Sequence, residues 1–347
     1  MKRVWYILIL LLLHAGHTLA QDPQFTQFYA APLYLNPAFA GATLESRAIA
    51  NARLQWAGLP KPFVTYAFSL DHNLEKYRSG LGLMVFHDKA GTGALSATSV
   101  SGIYSYKIQL YEKLIIRPAV QFSFGSRSLD YSRLVFGDQL DLQNNTTGII
   151  TGEAIGSGTR TNFFDFSSGV LVHNEQGWLG LSAHHLNQPN EALNGGNSPI
   201  PVKLSLHGGF KINLNNSVYK THGKSREKTL TPAFVYKSQG KYDQLDLGMY
   251  YYLEPLVIGM WYRGIPIFKQ YKPGYGNNDA LAVLIGMRQE NFSIGYSYDL
   301  TISQLGPSGT NGSHEISLSL TFGDNGKKSN KKPKMRKRDM VIPCPKF

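Results

Sequence analysis

Cysteine is nearly absent from this sequence: Cys344 is the only one among 347 residues. A single cysteine cannot form an intramolecular disulfide, so the disulfide-rich scaffolds common among small exported proteins are excluded. Beyond residue 20, no apolar run reaches the roughly 20 residues that a membrane-spanning helix needs. No stretch has the composition of a linker between two cores. The chain beyond residue 20 is therefore predicted to be one body without transmembrane helices.

Charge is also scarce in the body of the chain. The net charge is +12, but residues 323–347 hold nine lysines or arginines and two aspartates, and Lys2 and Arg3 stand at the other extremity. These two ends account for +9, which leaves +3 for everything between them. A basic appendage on a nearly neutral body is not a nucleic-acid cleft, so no nucleic-acid partner is expected.

Signatures of catalysis and of cofactor binding are missing as well. His184 and His185 with Asn187 suggest a metal or acid–base site, but no third ligand or nucleophile follows at a recognisable spacing. A loop or capping hydrogen bond is the better interpretation. The Gly-Thr-Gly at 91–93 lacks the lysine and helix of a phosphate loop and is interpreted as an outer hairpin. The sequence predicts no enzyme, no metal and no cofactor.

The N-terminus has the three parts of an export signal. Lys2 and Arg3 precede an apolar run over Val4 to Leu13, and Thr18-Leu19-Ala20 supplies small residues at a signal-peptidase site. A membrane anchor is the alternative, but the apolar run is shorter than a spanning helix. Residues 1–20 are therefore predicted to be a signal peptide that is cleaved after Ala20.

Residues 46–322 are dominated by a period of two, typical of half-buried strands. In 113–127, Phe122 and Phe124 share one face while Arg117 and Gln121 share the other. Twenty tyrosines, 18 phenylalanines and 35 glycines also favour sheet. Fourteen segments alternate in this way: 46–56, 63–70, 80–88, 98–110, 113–127, 162–173, 177–184, 202–212, 230–236, 244–252, 256–263, 280–288, 292–299 and 314–322.

An even number of strands about ten residues long, each with one apolar face, predicts a closed antiparallel transmembrane β-barrel of the outer-membrane type. The connections agree, because long ones (128–161, 185–201, 264–279, 300–313) mostly alternate with short ones, and only 71–79 and 213–229 break the trend. A soluble barrel or sandwich with a polar exterior is the alternative.

Closure in lipid places apolar side chains outside and allows polar ones inside. The predicted lumen-facing residues are Arg47, Asn51, Arg53, Arg117, Gln121, Arg263, Arg288 and Asp299. The predicted lipid-facing tyrosines are Tyr104, Tyr106, Tyr262, Tyr296 and Tyr298.

Several motifs resemble the PorP/SprF family of Bacteroidota outer-membrane proteins. They are "QDPQFTQFYAAPLYLNPAFAG" at 21–41, "DFSSGVLV" at 165–172, "GLSAHHLNQPN" at 180–190 and "IGYSYDL" at 294–300. The resemblance implies an outer-membrane barrel of the type IX secretion system. It also implies a partner, which is a secreted surface protein in some members and the periplasmic machinery in others. From the residues alone, a diffusion porin or a soluble ligand-binding β-domain stays possible.

Residues 21–45 form an aromatic and proline-rich segment that cannot join a sheet ladder, because proline lacks the amide hydrogen. We expect this N-terminal segment at the periplasmic mouth or inside the lumen, with its aromatics against the inner wall and its prolines turning the chain into the first strand. The predicted structural or partner-motif residues are Pro23, Phe25, Phe28, Tyr29, Pro32, Asn36, Pro37, Gly41, His185, Asn187 and Pro189.

Residues 323–347 are predicted to be a basic, flexible tail, longer than the family pattern. An even strand count returns the chain to its starting side, so both termini are expected in the periplasm, where the tail has a possible acidic partner. The 128–161 connection, with Asp138 and Asp141, is the expected outward contact because loops of that length are usually functional or disordered.

Overall fold

The computed structural model describes residues 22–91, 95–111, 114–141, 146, 148, 150–152, 159–214, 227–265, 269–272, 275–289, 291–323 and 342. The predicted signal peptide, most of the basic tail and the Thr-Gly of the 91–93 hairpin lie outside these residues.

Fourteen long strands make up the barrel. They are β1 Ser46–Gln55, β2 Phe63–Leu74, β3 Ser79–Ala90, β4 Leu95–Tyr106, β5 Ile115–Ser128, β6 Arg160–His173, β7 Gly177–His184, β8 Lys203–Phe210, β9 Lys228–Gln239, β10 Tyr242–Leu253, β11 Leu256–Gly264, β12 Asn278–Arg288, β13 Phe292–Thr301 and β14 Ser313–Phe322.

Every pair of neighbouring strands is antiparallel, and the sheet closes on itself. β14 pairs with β1 from Ser46 opposite Phe322 to Gln55 opposite Ser313. β8 and β9, which are separated by a long connection, are also paired. The prediction of a closed 14-strand antiparallel barrel is confirmed.

Shorter elements lie at the ends of the barrel and in its lumen. Two-residue strands at Ile108–Gln109 and Ile212–Asn213 extend the pairing, and Gln270–Lys272 pairs with Tyr275–Gly276 in a separate hairpin. Helix α1 is Pro32–Leu35 and helix α2 is Gly306–Thr310. Single 3₁₀ turns occur at Phe28–Ala30, Pro37–Phe39, Glu75–Tyr77, Tyr131–Arg133 and Gly137–Gln139.

The two faces of the sheet differ as the alternation predicts. On β5, the Phe122 side chain is 58% exposed on the outside, whereas Arg117 is 2% exposed on the inside. Tyr104, Tyr106 and Tyr296 are exposed on the outer face. The outer face is apolar because it contacts lipid acyl chains and not water. The backbone amide and carbonyl groups are hydrogen-bonded within the closed sheet. In the described part of the chain, no helix is long and apolar enough to span a membrane.

The two ends of the barrel carry different connections. We call the end at which β1 begins and β14 ends the termini end, and the opposite end the loop end. The loop end holds the long connections 129–159, 185–202, 265–277 and 302–312, and the short ones 56–62, 91–94 and 240–241. The termini end holds 75–78, 174–176, 254–255 and 289–291, all short, together with 107–114 and the long 211–227. The predicted long connection 71–79 is wrong, because β2 continues to Leu74.

Replacing Phe122 by arginine tests the outer face. Because the guanidinium would stand at mid-strand against acyl chains, the free energy of unfolding should fall by about 2–4 kcal/mol. Urea titration of the protein folded into lipid vesicles measures this, with Phe122→Leu as the matched control. Equal losses in the two variants would contradict a lipid-facing Phe122.

Candidate functional site in the barrel lumen

Residues 22–45, the N-terminal segment, run through the lumen from one end of the barrel to the other. Asp22 contacts Lys203 and Gln239, which lie at the loop end of β8 and β9. Gly41 contacts Asp71 and Arg117, which lie near the termini end of β2 and β5. The chain then enters β1 at the termini end.

This course corrects one expectation. Both termini were expected at the same end, but Asp22 lies at the loop end, whereas β14 finishes at the termini end with Phe322. The physical reason is shelter, because the apolar side chains of an irregular segment escape water only if the segment extends along the lumen.

Prolines shape the segment into short turns. Pro32 is the first residue of α1 and Pro37 the first of a 3₁₀ turn, the position where a missing amide hydrogen costs nothing. Asn36 caps the second turn, since its Oδ1 accepts from the Ala38 amide at 2.9 Å. Within these turns, part of the segment's backbone is hydrogen-bonded internally. The other backbone groups depend on partners in the barrel wall.

A polar clamp binds the segment at the loop end. Asp22 Oδ2 lies 2.6 Å from Lys203 Nζ and 2.9 Å from His185 Nε2, while Gln239 Nε2 donates to Asp22 Oδ1 at 3.0 Å. Burial alone would raise the pKa of the Asp22 carboxyl, yet Lys203 and His185 hold it well below its usual range. Burial disfavours the charged His185 imidazole, but Asp22 and Asp165 raise its pKa to about 9.

A charged cluster surrounds Thr26 one step deeper. The Thr26 hydroxyl donates to Asp299 Oδ2 at 2.6 Å and accepts from Arg53 at 2.7 Å and from Arg263 at 2.9 Å. Arg263 Nε also donates to Asp246 at 2.9 Å. The buried members pair three cations with three carboxylates; they are Arg53, Lys237, Arg263, Asp246, Asp299 and Glu315. Arg263 also lies 3.7 Å from the exposed Asp279 carboxylate.

Glu315 binds the backbone of the segment directly. Its two carboxylate oxygens accept from the amides of Thr26, at 2.6 Å, and Gln27, at 3.0 Å. The Gln27 side chain donates to Glu315 O and Ser297 Oγ, and its Oε1 accepts from Ser317 Oγ at 2.6 Å. Every polar group of the Gln27 side chain therefore has a wall partner.

Aromatic packing fills the middle of the lumen. Phe28 and Tyr29 make edge-on contacts with Trp261 and Trp178, at centroid distances of 5.2 and 5.3 Å. Phe25 lies 6.4 Å from the ring of Phe86. All three segment aromatics are at most 3% exposed. Lys237 Nζ lies 4.4 Å from the Phe28 ring centre, so the cluster and the aromatic layer adjoin.

Asn36 fits against two neighbouring strands where glycine leaves room. Its Nδ2 donates to the carbonyls of Val170 on β6 and Leu181 on β7, each at 3.2 Å, and lies 3.1 Å from His207 Nε2. A Cβ atom at Gly169 would lie 2.1 Å from Asn36 Oδ1. Only glycine therefore permits this approach.

The segment leaves the lumen through a second polar site. Ala40 O accepts from Ser105 Oγ at 2.7 Å and from Arg117 at 2.8 Å, and the Gly41 amide donates to Asp71 at 3.0 Å. Gly80 on β3 lies so close that a Cβ there would stand 2.1 Å from Ala40 O. Gly41 itself has φ of +60°, which glycine adopts readily.

The remaining predicted residues have separate places. Arg47 donates to Asp71 at 2.9 Å, Gln121 donates to Ser101 and Ser123, and Arg288 lies 5.6 Å from the Tyr252 ring at the termini end. Outside the lumen, the Asn187 side chain bonds the backbone of Phe164 and Phe166, and Pro189 O accepts from Ile200. Pro23 O accepts from Tyr34.

Sequence reasoning missed several lumen residues: Asp22, Lys203, Lys237, Asp246, Glu315, Trp178 and Trp261. For Lys203 and Glu315, the alternation with apolar neighbours on the same strand predicts an inward-facing side chain. Nothing in the sequence paired them with the N-terminal segment, since Thr26 and Glu315 are 289 positions apart.

Chemically, the site binds a peptide. A cavity of about 50 Å³ remains at the loop end between the segment and Lys203, Lys237 and Tyr242. Small-molecule sites usually measure roughly 300–1,000 Å³. The arrangement is therefore suited to fastening a polypeptide inside a barrel.

The sequence model of the family described as type IX secretion system membrane protein PorP/SprF matches residues 18–320. The chain belongs to this family. PorP/SprF is a family of secretion-system membrane proteins and not of enzymes, and it associates the chain with components of that system. Together with the closed barrel and its apolar exterior, membership supports an outer-membrane location. None of the curated proteins compared with the chain matches it.

Solved barrels resemble the structure at low identity. The P. putida toluene transporter TodX is 12% identical, with a TM-score of 0.46 over 83% of this chain and 92% of that one. The Acinetobacter baumannii outer membrane protein Omp33 is 7% identical, with a TM-score of 0.41 over 81% and 100%. A Pseudomonas aeruginosa FadL homologue is 10% identical, with a TM-score of 0.40 over 90% and 97%.

Glu315→Gln tests the grip on the segment. The substitution gives Thr26 and Gln27 one acceptor where there were two and leaves Arg53 short of a counter-charge, so the free energy of unfolding should fall by about 3–5 kcal/mol. Urea unfolding in vesicles measures the loss. Glu75→Gln, at an exposed turn, is the control. Equally small losses of unfolding free energy in the two variants would contradict the role of Glu315 in binding the segment.

The loop-end clamp should weaken as pH rises. Because the pKa of His185 is about 9 in the folded protein and about 6.5 in an unfolded chain, its contribution is complete below pH 6.5 and is lost as pH rises through 9. Amide exchange of residues 22–27, corrected for intrinsic rates, should lose protection between those values. His185→Gln should show a flat profile, and a wild-type profile that is equally flat would contradict the clamp.

Proposed function

We propose that this PorP/SprF protein is a closed outer-membrane anchor of the type IX secretion system that binds a secreted surface protein at its loop end. The observation that carries the proposal is the N-terminal segment, which contacts the wall from Asp22 at the loop end to Gly41 at the termini end. A barrel filled along its length serves better for attachment than for passage.

The diffusion-porin alternative is disfavoured by the same contacts. A porin needs a wet lumen with charges available to solutes. Here Arg53 and Arg263 are bonded to carboxylates and to Thr26, and the aromatics beside them are buried. The soluble-domain alternative is disfavoured by the outer face, on which Phe122 and Met260 are about 60% exposed.

The proposal includes an orientation. Barrels of bacterial outer membranes have short turns in the periplasm and long loops outside. The loop end would then face the cell surface, and the termini end the periplasm, after removal of the signal peptide 1–20. Asp22 would lie near the surface and the basic tail beneath the barrel.

The 129–159 connection supplies the proposed contact with the secreted partner. Val135 is 54% exposed and Ile150 is 91% exposed, and neither lies on a membrane-facing strand. Exposed apolar side chains in a loop outside the membrane favour a protein partner. Leu140 in the same loop is also exposed.

A second candidate partner is the periplasmic part of the machinery or another acidic periplasmic component. The charge of the tail favours it, since residues 323–347 carry nine basic and two acidic side chains. Both partners are compatible with one barrel, because they would bind opposite ends.

Conductance and surface retention together test the anchor. The purified protein should give no steady current in planar bilayers, whereas deletion of residues 22–40 should open one, because the lumen loses its occupant. In cells, replacing Val135, Leu140 and Ile150 by serine should lower the amount of type IX-secreted protein retained at the surface.

Arg133→Ser, an exposed polar change in the same loop, is the matched control and should leave retention unchanged. A steady current through the full-length barrel would favour the porin. Retention that is indifferent to the triple substitution would remove the 129–159 connection as the contact.

A further inference from the structure

Ile342 is a described residue of the C-terminal tail, and it is buried. Its exposed fraction is 3%, and it belongs to the same apolar cluster as Phe28, Val257 and Trp261 of the lumen. The sequence around it turns apolar after the basic run, reading MVIPCPKF at 340–347. A residue from the end of the chain is therefore part of the barrel interior.

The wall residues of this apolar cluster lie mainly in the termini half of the lumen. Ile103, Leu171 and Trp178 are within a few residues of the termini end of their strands, and all three are at most 4% exposed in this cluster. Val257, the second residue of β11, is at the same end. An apolar layer thus borders the mouth from which β14 emerges.

We infer that the C-terminal tail is a second occupant of the lumen, attached through Ile342 to the apolar layer at the termini end. The chain is long enough, because the roughly 19 residues after Gly323 can span about 60 Å when extended. The favourable term is the removal of the isoleucine side chain from water. This attachment does not depend on whether the barrel binds a secreted partner.

The attachment has a consequence for the basic run 327–338. The described residues that flank it are Gly323, which directly follows β14, and Ile342, which is buried in the lumen cluster. Chain connectivity therefore tethers the run at both of its ends. A polyanionic partner would meet a confined cationic loop, with less chain entropy to lose than on a free tail.

The native cysteine makes the attachment measurable. Cys344 is the only thiol in the chain and is two residues from Ile342, so its reaction rate with a charged maleimide reports whether the tail is attached. In the purified full-length protein in nanodiscs, Ile342→Asp should accelerate the reaction about tenfold or more, because an aspartate loses the gain from burial. Ile342→Val should keep the slow rate.

The reference rate comes from Cys344→Ser combined with Lys61→Cys, which places the thiol on an exposed loop residue. The wild-type protein should react much more slowly than this reference, and Ile342→Asp should approach it. A wild-type rate equal to the reference would overturn the attachment. So would a slow rate that Ile342→Asp leaves unchanged, since the protection would then come from elsewhere. Folding of each variant is checked by the resistance of the barrel to unfolding in cold detergent.

Discussion

Two hydrogen bonds from the backbone amides of Thr26 and Gln27 to the Glu315 carboxylate fix the N-terminal segment in the lumen. An irregular segment inside a barrel has amide groups that no ladder can satisfy, and an unsatisfied buried group costs about 1–3 kcal/mol. Glu315 satisfies two of them at once and is itself paired with Arg53. Once the segment is placed there, Thr26 falls between the two arginines and Phe28 beside Trp261.

Polar and apolar contacts both hold the N-terminal segment in the lumen. Near the loop end the contacts are polar and charge-balanced, so each buried ion has a partner and the desolvation of the group is offset. In the middle, the aromatics contribute area and edge-on ring contacts. At the termini end, Arg117 and Asp71 bind carbonyl and amide groups of Ala40 and Gly41. Polar sites at both ends set the position of the segment, and the apolar layer supplies much of the stability.

The N-terminal segment contacts the wall at both ends of the barrel and fills the lumen between them. The barrel has two distinct ends: one carries long loops with exposed apolar side chains, and at the other β14 ends with Phe322. Ile342, near the other end of the chain, is buried in the same apolar cluster. Both features suit a protein that joins partners on two sides of a membrane, and neither suits a conduit for solutes.

Much of this molecule was determined by its sequence. The period of two placed all fourteen strands, because alternation is imposed locally by a sheet with lipid on one side, and inward parity alone identified Arg53, Arg117, Arg263 and Asp299 as lumen residues. Prolines excluded the N-terminal segment from the sheet for an equally local reason.

The path of that segment depends on contacts between distant parts of the chain. Its direction along the lumen, and the location of Asp22 at the end opposite Phe322, depend on contacts such as Thr26 with Glu315 that join opposite extremities of the chain. Composition shows that an apolar segment needs shelter. Where the segment lies is set by the ion pairs and by the space beside glycine residues, and both exist only after the barrel has closed.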